Sequence, residues 1–229
     1  RGLGDVYKRQ LFKSNDLYHW KYELRFTTQD VFGYMWECPN YVEIDGKQFL
    51  IVCPQGIKQN GLDYANAHQC GYFPLNYKFE DKTYQLGEFC QLDRGFDFYA
   101  PQVFKDHKGR NILIGWMGMP ESDYNNDKTV KNGWQHALSL PRELYVTEEG
   151  KLAQKPLEEL KKLRTNEKKM EFNNELSVST SIWFEIHVDF EVSRDFVLKL
   201  RESAELRYEE GILTLDITCL LYTSPSPRD

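Results

Sequence analysis

A single carboxylate, Glu37, lies in the stretch MWECPN (residues 35–40), between the large ring of Trp36 and the pair Cys38 and Pro39. A carboxyl group walled by an indole would sit in a low dielectric that favours its neutral form, as a general acid working near neutral pH requires. A glutamate in a surface turn could carry the same neighbours, so the elements around it decide. Other polar and aromatic groups stand in short motifs. PQG places Gln55 at a strand end, and LDRGFDFYAPQ (residues 92–102) carries Asp93, Asp97 and Tyr99, the last with a hydroxyl as polar handle. ILIGWMG carries Trp116. Aromatic rings favour pleated surfaces and also line sugar sites by stacking on C–H faces.

Other chemistries find less support. The five cysteines (Cys38, Cys53, Cys70, Cys90, Cys219) are odd in number, scattered and without a CxxC pair, which argues against a disulfide framework or a zinc site and for a reducing, cytoplasmic compartment. The chain starts at Arg1, so secretion stays open. His19, His68, His107, His136 and His187 show neither metal-ligand spacing nor a nucleophile partner, so no metal is expected. A net charge of -6 without a basic run argues against nucleic acid, and no apolar run approaches bilayer length, which argues against a membrane partner.

The elements that must position these residues read as strands. Among 229 residues, 14% are aromatic and 41% hydrophobic, enough for a real core and suited to pleated surfaces. LFKSNDLYHWKYE reads as strand, turn and strand. YVEIDGKQFLIVCPQG places two apolar runs around Asp45 and Gly46, a hairpin signal, and residues 49–53 are apolar on both faces, as in a strand covered on both sides. The arrangement recurs in PQVFKDHKGRNILIGW: aligning Pro39 with Pro101 (101 − 39 = 62) brings Gly46 close to Gly109 and Phe49 close to Ile112. A repeated unit of strands and turns suggests propeller blades, with the residues before each proline, Glu37 in one and Phe98 and Tyr99 in the other, facing a common funnel.

A third partial unit spans residues 133–146, with two strands around Pro141. Beyond it, Leu157, Leu160 and Leu163 recur beside Glu and Lys, as in a short amphipathic helix or a surface linker. Residues 185–192 then alternate, with Ile186, Val188, Phe190 and Val192 on one face, the pattern of a half-buried strand. With residues 196–200 and 212–217 it would begin a sandwich. The expected division is an adapter-like tail (1–10), a partial propeller (11–148), a linker (149–166), a truncated β-sandwich (167–218) and a second adapter-like tail (219–229).

WECPN, DGKQFLIVCPQG, LDRGFDFYAPQVF, ILIGWMG and LSLPREL, in this order, together resemble glycoside hydrolase family 32, the invertases and bacterial sucrose-6-phosphate hydrolases. The resemblance covers residues 11–218 and implies an all-β chain: the later blades of a five-bladed β-propeller, then a truncated β-sandwich. It implies retaining hydrolysis of a terminal β-fructofuranosyl bond, with sucrose or sucrose 6-phosphate as substrate and no cofactor. By motif, Glu37 resembles the general acid/base. Trp36, Gln55, Asp93, Tyr99 and Trp116 resemble substrate-binding positions, while Arg142 is expected to pair with Glu143 or a neighbouring blade. Asp93 would serve equally as a turn residue, and Trp116 as core packing. Arg94 departs from the family, where an aromatic is expected. The family's nucleophilic Asp belongs to a WMNDPNG-like motif and a second Asp to an RDP motif; neither occurs here, and residue 11 would follow shortly after the RDP segment. The chain as given is therefore expected to be an inactive fragment with exposed apolar surface. A fructan hydrolase of the same fold and a non-catalytic sugar-binding propeller are the alternatives.

Overall fold

In the computed structural model, residues 9–122, 126–171, 175–180, 183–191, 194–200 and 204–217 are described. Among the described residues strand predominates and helix is scarce. Strands β1 (Arg9–Lys13) and β2 (Lys21–Phe26) form a two-stranded antiparallel sheet. The turn between them is held by Asp16, whose carboxylate accepts from the backbone N–H groups of Tyr18 and His19. Arg9 and Gln10, expected in a tail, pair with Phe26 and Arg25 at the start of β1.

The first complete sheet runs β3 (Met35–Ile44), β4 (Lys47–Gln55), β5 (Gly71–Lys78) and β6 (Thr83–Leu86), all antiparallel, with β7 (Cys90–Gln91) on the same β5 edge as β6. The β3–β4 turn holds Asp45 at φ 51° and Gly46 at φ 72°, the left-handed pair that a two-residue hairpin matched to strand twist requires. The middle of β4, residues 49–54, is apolar and buried because it is covered on both faces. Phe49, Ile51 and Cys53 enter one core, and Leu50 and Val52 enter another with Leu24, Phe26, Trp36, Phe73 and Tyr77.

The second sheet runs β8 (Tyr99–Lys105), β9 (Asn111–Met117), β11 (Arg142–Val146) and β12 (Leu152–Pro156), with β10 (Ala137–Leu138) pairing the β9 edge beyond β11. Pro141 interrupts that edge, as expected of a residue without an N–H to donate. A short helix α1 (Asp127–Lys131) precedes β10. Tyr99, Leu113, Leu144 and Leu152 pack against Val42, Phe49 and Ile51, so the two sheets share one core.

Compact units divide between Leu157 and Glu158. The second unit opens with a 3-10 helix, Glu158–Leu163, that buries none of its residues. It also holds the antiparallel sheet β13 (Phe196–Leu200), β14 (Ala204–Glu209) and β15 (Ile212–Asp216). The alternating segment 185–192 corrects an expectation: its described residues 185–191 form no strand, and Val192 lies outside the described residues. Alternation says which face would be buried, but a strand also needs a neighbour to pair its backbone. Here Glu185 is instead ion-paired with Arg164, with Nε to Oε2 at 2.6 Å. Residues 219–229 lie outside the described residues.

Candidate active site

Glu37 sits on β3 immediately before a β-bulge, where the β3–β4 register shifts between Glu37 and Asn40 and Cys38 takes φ 46°. Tyr99 opens β8 in the same way: the register shifts between Tyr99 and Gln102, and Ala100 takes φ 47°. The 62-residue repeat thus reproduces a backbone kink as well as the strands around it. A bulge re-aims the side chain beside it, and these two aim at each other. The Tyr99 hydroxyl donates to Glu37 Oε2 at 3.0 Å. Gln55, at the end of β4, donates through Nε2 to the same carboxylate oxygen at 3.1 Å and to the Tyr99 hydroxyl at 3.2 Å. Glu37 is half-buried and Tyr99 buried; burial pushes the Tyr99 phenol well above its usual range, so it stays a neutral donor. Arg9 adds positive charge: burial lowers its pKa, while Glu37 is the foremost group holding it up.

Trp36 is placed elsewhere. Its side chain is fully buried on the opposite face of β3, stacked on Phe73 with ring centroids 5.0 Å apart, and its Nε1 donates to the Phe32 carbonyl at 2.7 Å. Successive residues of a strand point to opposite faces, so the residue before the carboxylate is packed in the core and walls nothing around it. Trp116 is half-buried and directly opposite Tyr99 in the β8–β9 register. Its ring meets that of His136 edge-on at 5.1 Å and lies over Gly118, where an added Cβ would come within 2.2 Å of it.

Asp93 is occupied by the protein itself. Oδ1 accepts from the Gly95 N–H at 2.7 Å, and Oδ2 takes the Arg142 guanidinium at 2.6 Å. Arg142 also donates to Gln154 at 2.9 Å and lies 4.4 Å over the Phe98 ring. Of the two partners expected for Arg142, Glu143 or a group outside its own strands, it takes the second, Asp93, and Glu143 faces Lys155 at 3.6 Å. Arg94 pairs with Asp63 at 2.6 Å on the surface. Asp97 is half-buried, its Oδ1 has no hydrogen-bond partner among the described residues, and burial raises its carboxyl above the usual range.

Two neighbours went unread in the sequence. His68 bridges to Gln55 as the β4–β5 ladder continues past β5, and its buried ring lies 6.3 Å from that of Tyr99. Its Nε2 reaches Glu121 at 3.2 Å. Only the strand register reveals this placement, since nothing in the spacing of residues 37, 68 and 99 marks it. Asn40, inside the WECPN motif, bonds across to β8 and is taken up below.

Among the described residues no group of three His, Cys, Asp or Glu side chains could hold a metal ion. No helix there is long and apolar enough to cross a membrane. The four described cysteines are free thiols. Two shallow clefts, of about 310 and 290 Å³, lie at the outer hairpin ends around Lys47 and Lys108, and neither includes Glu37. Glu37 is marked by its hydrogen bonds to Tyr99 and Gln55, not by a cleft.

Two antiparallel sheets that share one core and bring Glu37 to Tyr99 are arranged as neighbouring blades of a β-propeller. The profile described as "Glycosyl hydrolases family 32 N-terminal domain" matches residues 3–156, and the chain belongs to that family. Its first unit has the fold of part of the five-bladed β-propeller that forms the N-terminal domain of this family, and the described residues of the second unit hold a three-stranded antiparallel sheet. The sucrose-6-phosphate hydrolase of Bacillus subtilis is 38% identical over 222 residues, which are 90% of this chain and 46% of that protein. That of Staphylococcus xylosus is 45% identical over 157 residues, 68% of this chain and 31% of that protein. Among solved structures, a Bombyx mori family 32 β-fructofuranosidase superposes with TM-score 0.61 at 34% identity, covering 69% of this chain and 33% of that one. A variant of that enzyme is solved in complex with sucrose. The sucrose-6-phosphate hydrolase of Lactobacillus gasseri gives TM-score 0.60 at 31% identity, with 69% and 32% covered. The chain therefore spans about half or less of the length of the curated relatives it matches.

Proposed function

We propose that the chain is part of a retaining β-fructofuranosidase that acts on sucrose or sucrose 6-phosphate in the cytoplasm without a cofactor, and that Glu37 is its general acid/base. The observation that carries this reading is the carboxylate of Glu37 held by Tyr99 and Gln55 at the meeting of two blades. In the first half-reaction Glu37 gives its proton to the departing glycosidic oxygen while a second carboxylate, roughly 5 Å away, attacks the fructosyl carbon. In the second half-reaction Glu37 takes a proton from the water that opens the fructosyl ester. Trp116 offers its ring to the sugar beside Tyr99, and Gln55 orients the acid. Trp36 supports this site only through the core, and Asp93 only through Arg142.

Neither a WMNDPNG-like nor an RDP motif occurs in the chain, so we expect no turnover of either sugar by this polypeptide alone. In the parent enzyme, Glu37→Gln should lower kcat on sucrose by about 10²- to 10⁴-fold. It should lose far less on an aryl fructoside whose leaving group needs no proton, and added azide should open the ester without a base. Unchanged sucrose turnover in Glu37→Gln, or cleavage of either sugar by the chain as it stands, would contradict the respective assignments.

A further inference from the structure

Asn40 stands three residues after Glu37, on the far side of the bulge, and both ends of its carboxamide are bonded. Its Nδ2 donates to the Cys38 carbonyl at 3.0 Å and to the Pro101 carbonyl on β8 at 2.9 Å, and its Oδ1 accepts from the Val103 N–H at 3.1 Å. Donating to the oxygen of residue 101 and accepting from the nitrogen of residue 103 is the pattern a backbone residue makes opposite residue 102 in a parallel pair. The side chain thus completes a strand contact between β3 and β8 that the backbones do not make in their ladders. Two carbonyls on one side and an N–H on the other leave the amide one orientation.

We propose that Asn40 is a positioning residue: it ties the bulge after Glu37 to the strand that carries Tyr99, and so fixes the carboxylate relative to the phenol. The Glu37–Tyr99 hydrogen bond alone would leave the β3 bulge free to shift. With Asn40 bonded to residues 38, 101 and 103, both bulges move as one piece. The proposal rests on the reading of Glu37 as the acid/base, and its test separates the two.

Amide exchange on the full chain reads the tie without any catalysis. Asn40→Ala should speed exchange of the Val103 N–H by about tenfold, the loss of one hydrogen bond, while Leu113 in the β9 core stays protected. Unchanged exchange at Val103 overturns the proposal. In the parent enzyme Asn40→Ala should lower kcat by about 10- to 100-fold with little change in KM, as a small misplacement of a reacting group does. Should that variant fail to fold, Asn40→Asp carries the test. Its carboxylate still accepts from Val103 but opposes the carbonyls of residues 38 and 101, and protonation restores a donor. Its kcat relative to the unsubstituted enzyme should therefore recover as pH falls towards the carboxyl range, a profile that packing alone does not produce; a flat ratio overturns the positioning role. Full turnover by Glu37→Gln would overturn the acid assignment and this role with it. That outcome is recognisable because the Val103 exchange result would stand.

Discussion

Side chains one position apart on β3 have opposite fates, and substitution should separate them. Trp36→Phe should cost about 1–3 kcal/mol in urea unfolding through lost burial and a vacated volume, while leaving the sugar affinity of the parent within about twofold. A large rise in KM would return Trp36 to the sugar site. Asp97 contributes with the opposite sign. Burial raises its carboxyl, so between the unfolded and the folded pKa the folded state holds the extra proton. Stability from this group is thus present below the unfolded pKa, about 3.9, and is lost as pH rises through the folded value. Asp97→Asn should raise Tm at pH 7, and the gain should shrink to nothing in acid. An equal Tm difference at pH 3 and pH 7 would refute the assignment.

At the scale of elements, the Asp93–Arg142 pair joins the loop before β8 to β11, and Arg142 also covers Phe98, the residue beside Tyr99. Both side chains are mostly buried, so Arg142→Ala leaves a carboxylate without its partner. It should cost about 2–4 kcal/mol in denaturant unfolding, with Arg142→Lys recovering only part, because lysine cannot replace the planar fork. A cost below about 0.5 kcal/mol would mark the pair as an ordinary surface bridge. The strands themselves were readable in advance where two signals agreed. Asp45 and Gly46 between apolar runs foretold the β3–β4 hairpin, and Pro141 foretold the break between β10 and β11. Residues 185–191 show the limit: their alternation was clean, but alternation does not supply a pairing partner. The site was half legible for a related reason. The 62-residue offset sets Glu37 and Tyr99 at equivalent positions, and the family resemblance alone marks Gln55. Trp36 neighbours Glu37 in sequence but points to the opposite face of β3, and the place of His68 depends on register across β4 and β5, which spacing does not show.

For the molecule as a whole, the division between Leu157 and Glu158 falls just before a 3-10 helix with no buried residue. Lys161, Lys162 and Arg164 are exposed there, and short exposed links between compact units are the usual sites of nicking. Brief trypsin treatment should therefore cut first at these positions and release a resistant piece ending near residue 161. Initial cleavage within β3–β5 would instead show that the first unit opens more readily than the link.

The paired kinks at Cys38 and Ala100 have a wider implication. When a blade is repeated, the copy inherits the aim of its inner strand, so each repeat delivers one more side chain to the same point before any chemistry is chosen. A carboxylate in one copy and a phenol in the other then meet at hydrogen-bond distance, and either side chain can change without rebuilding the blades.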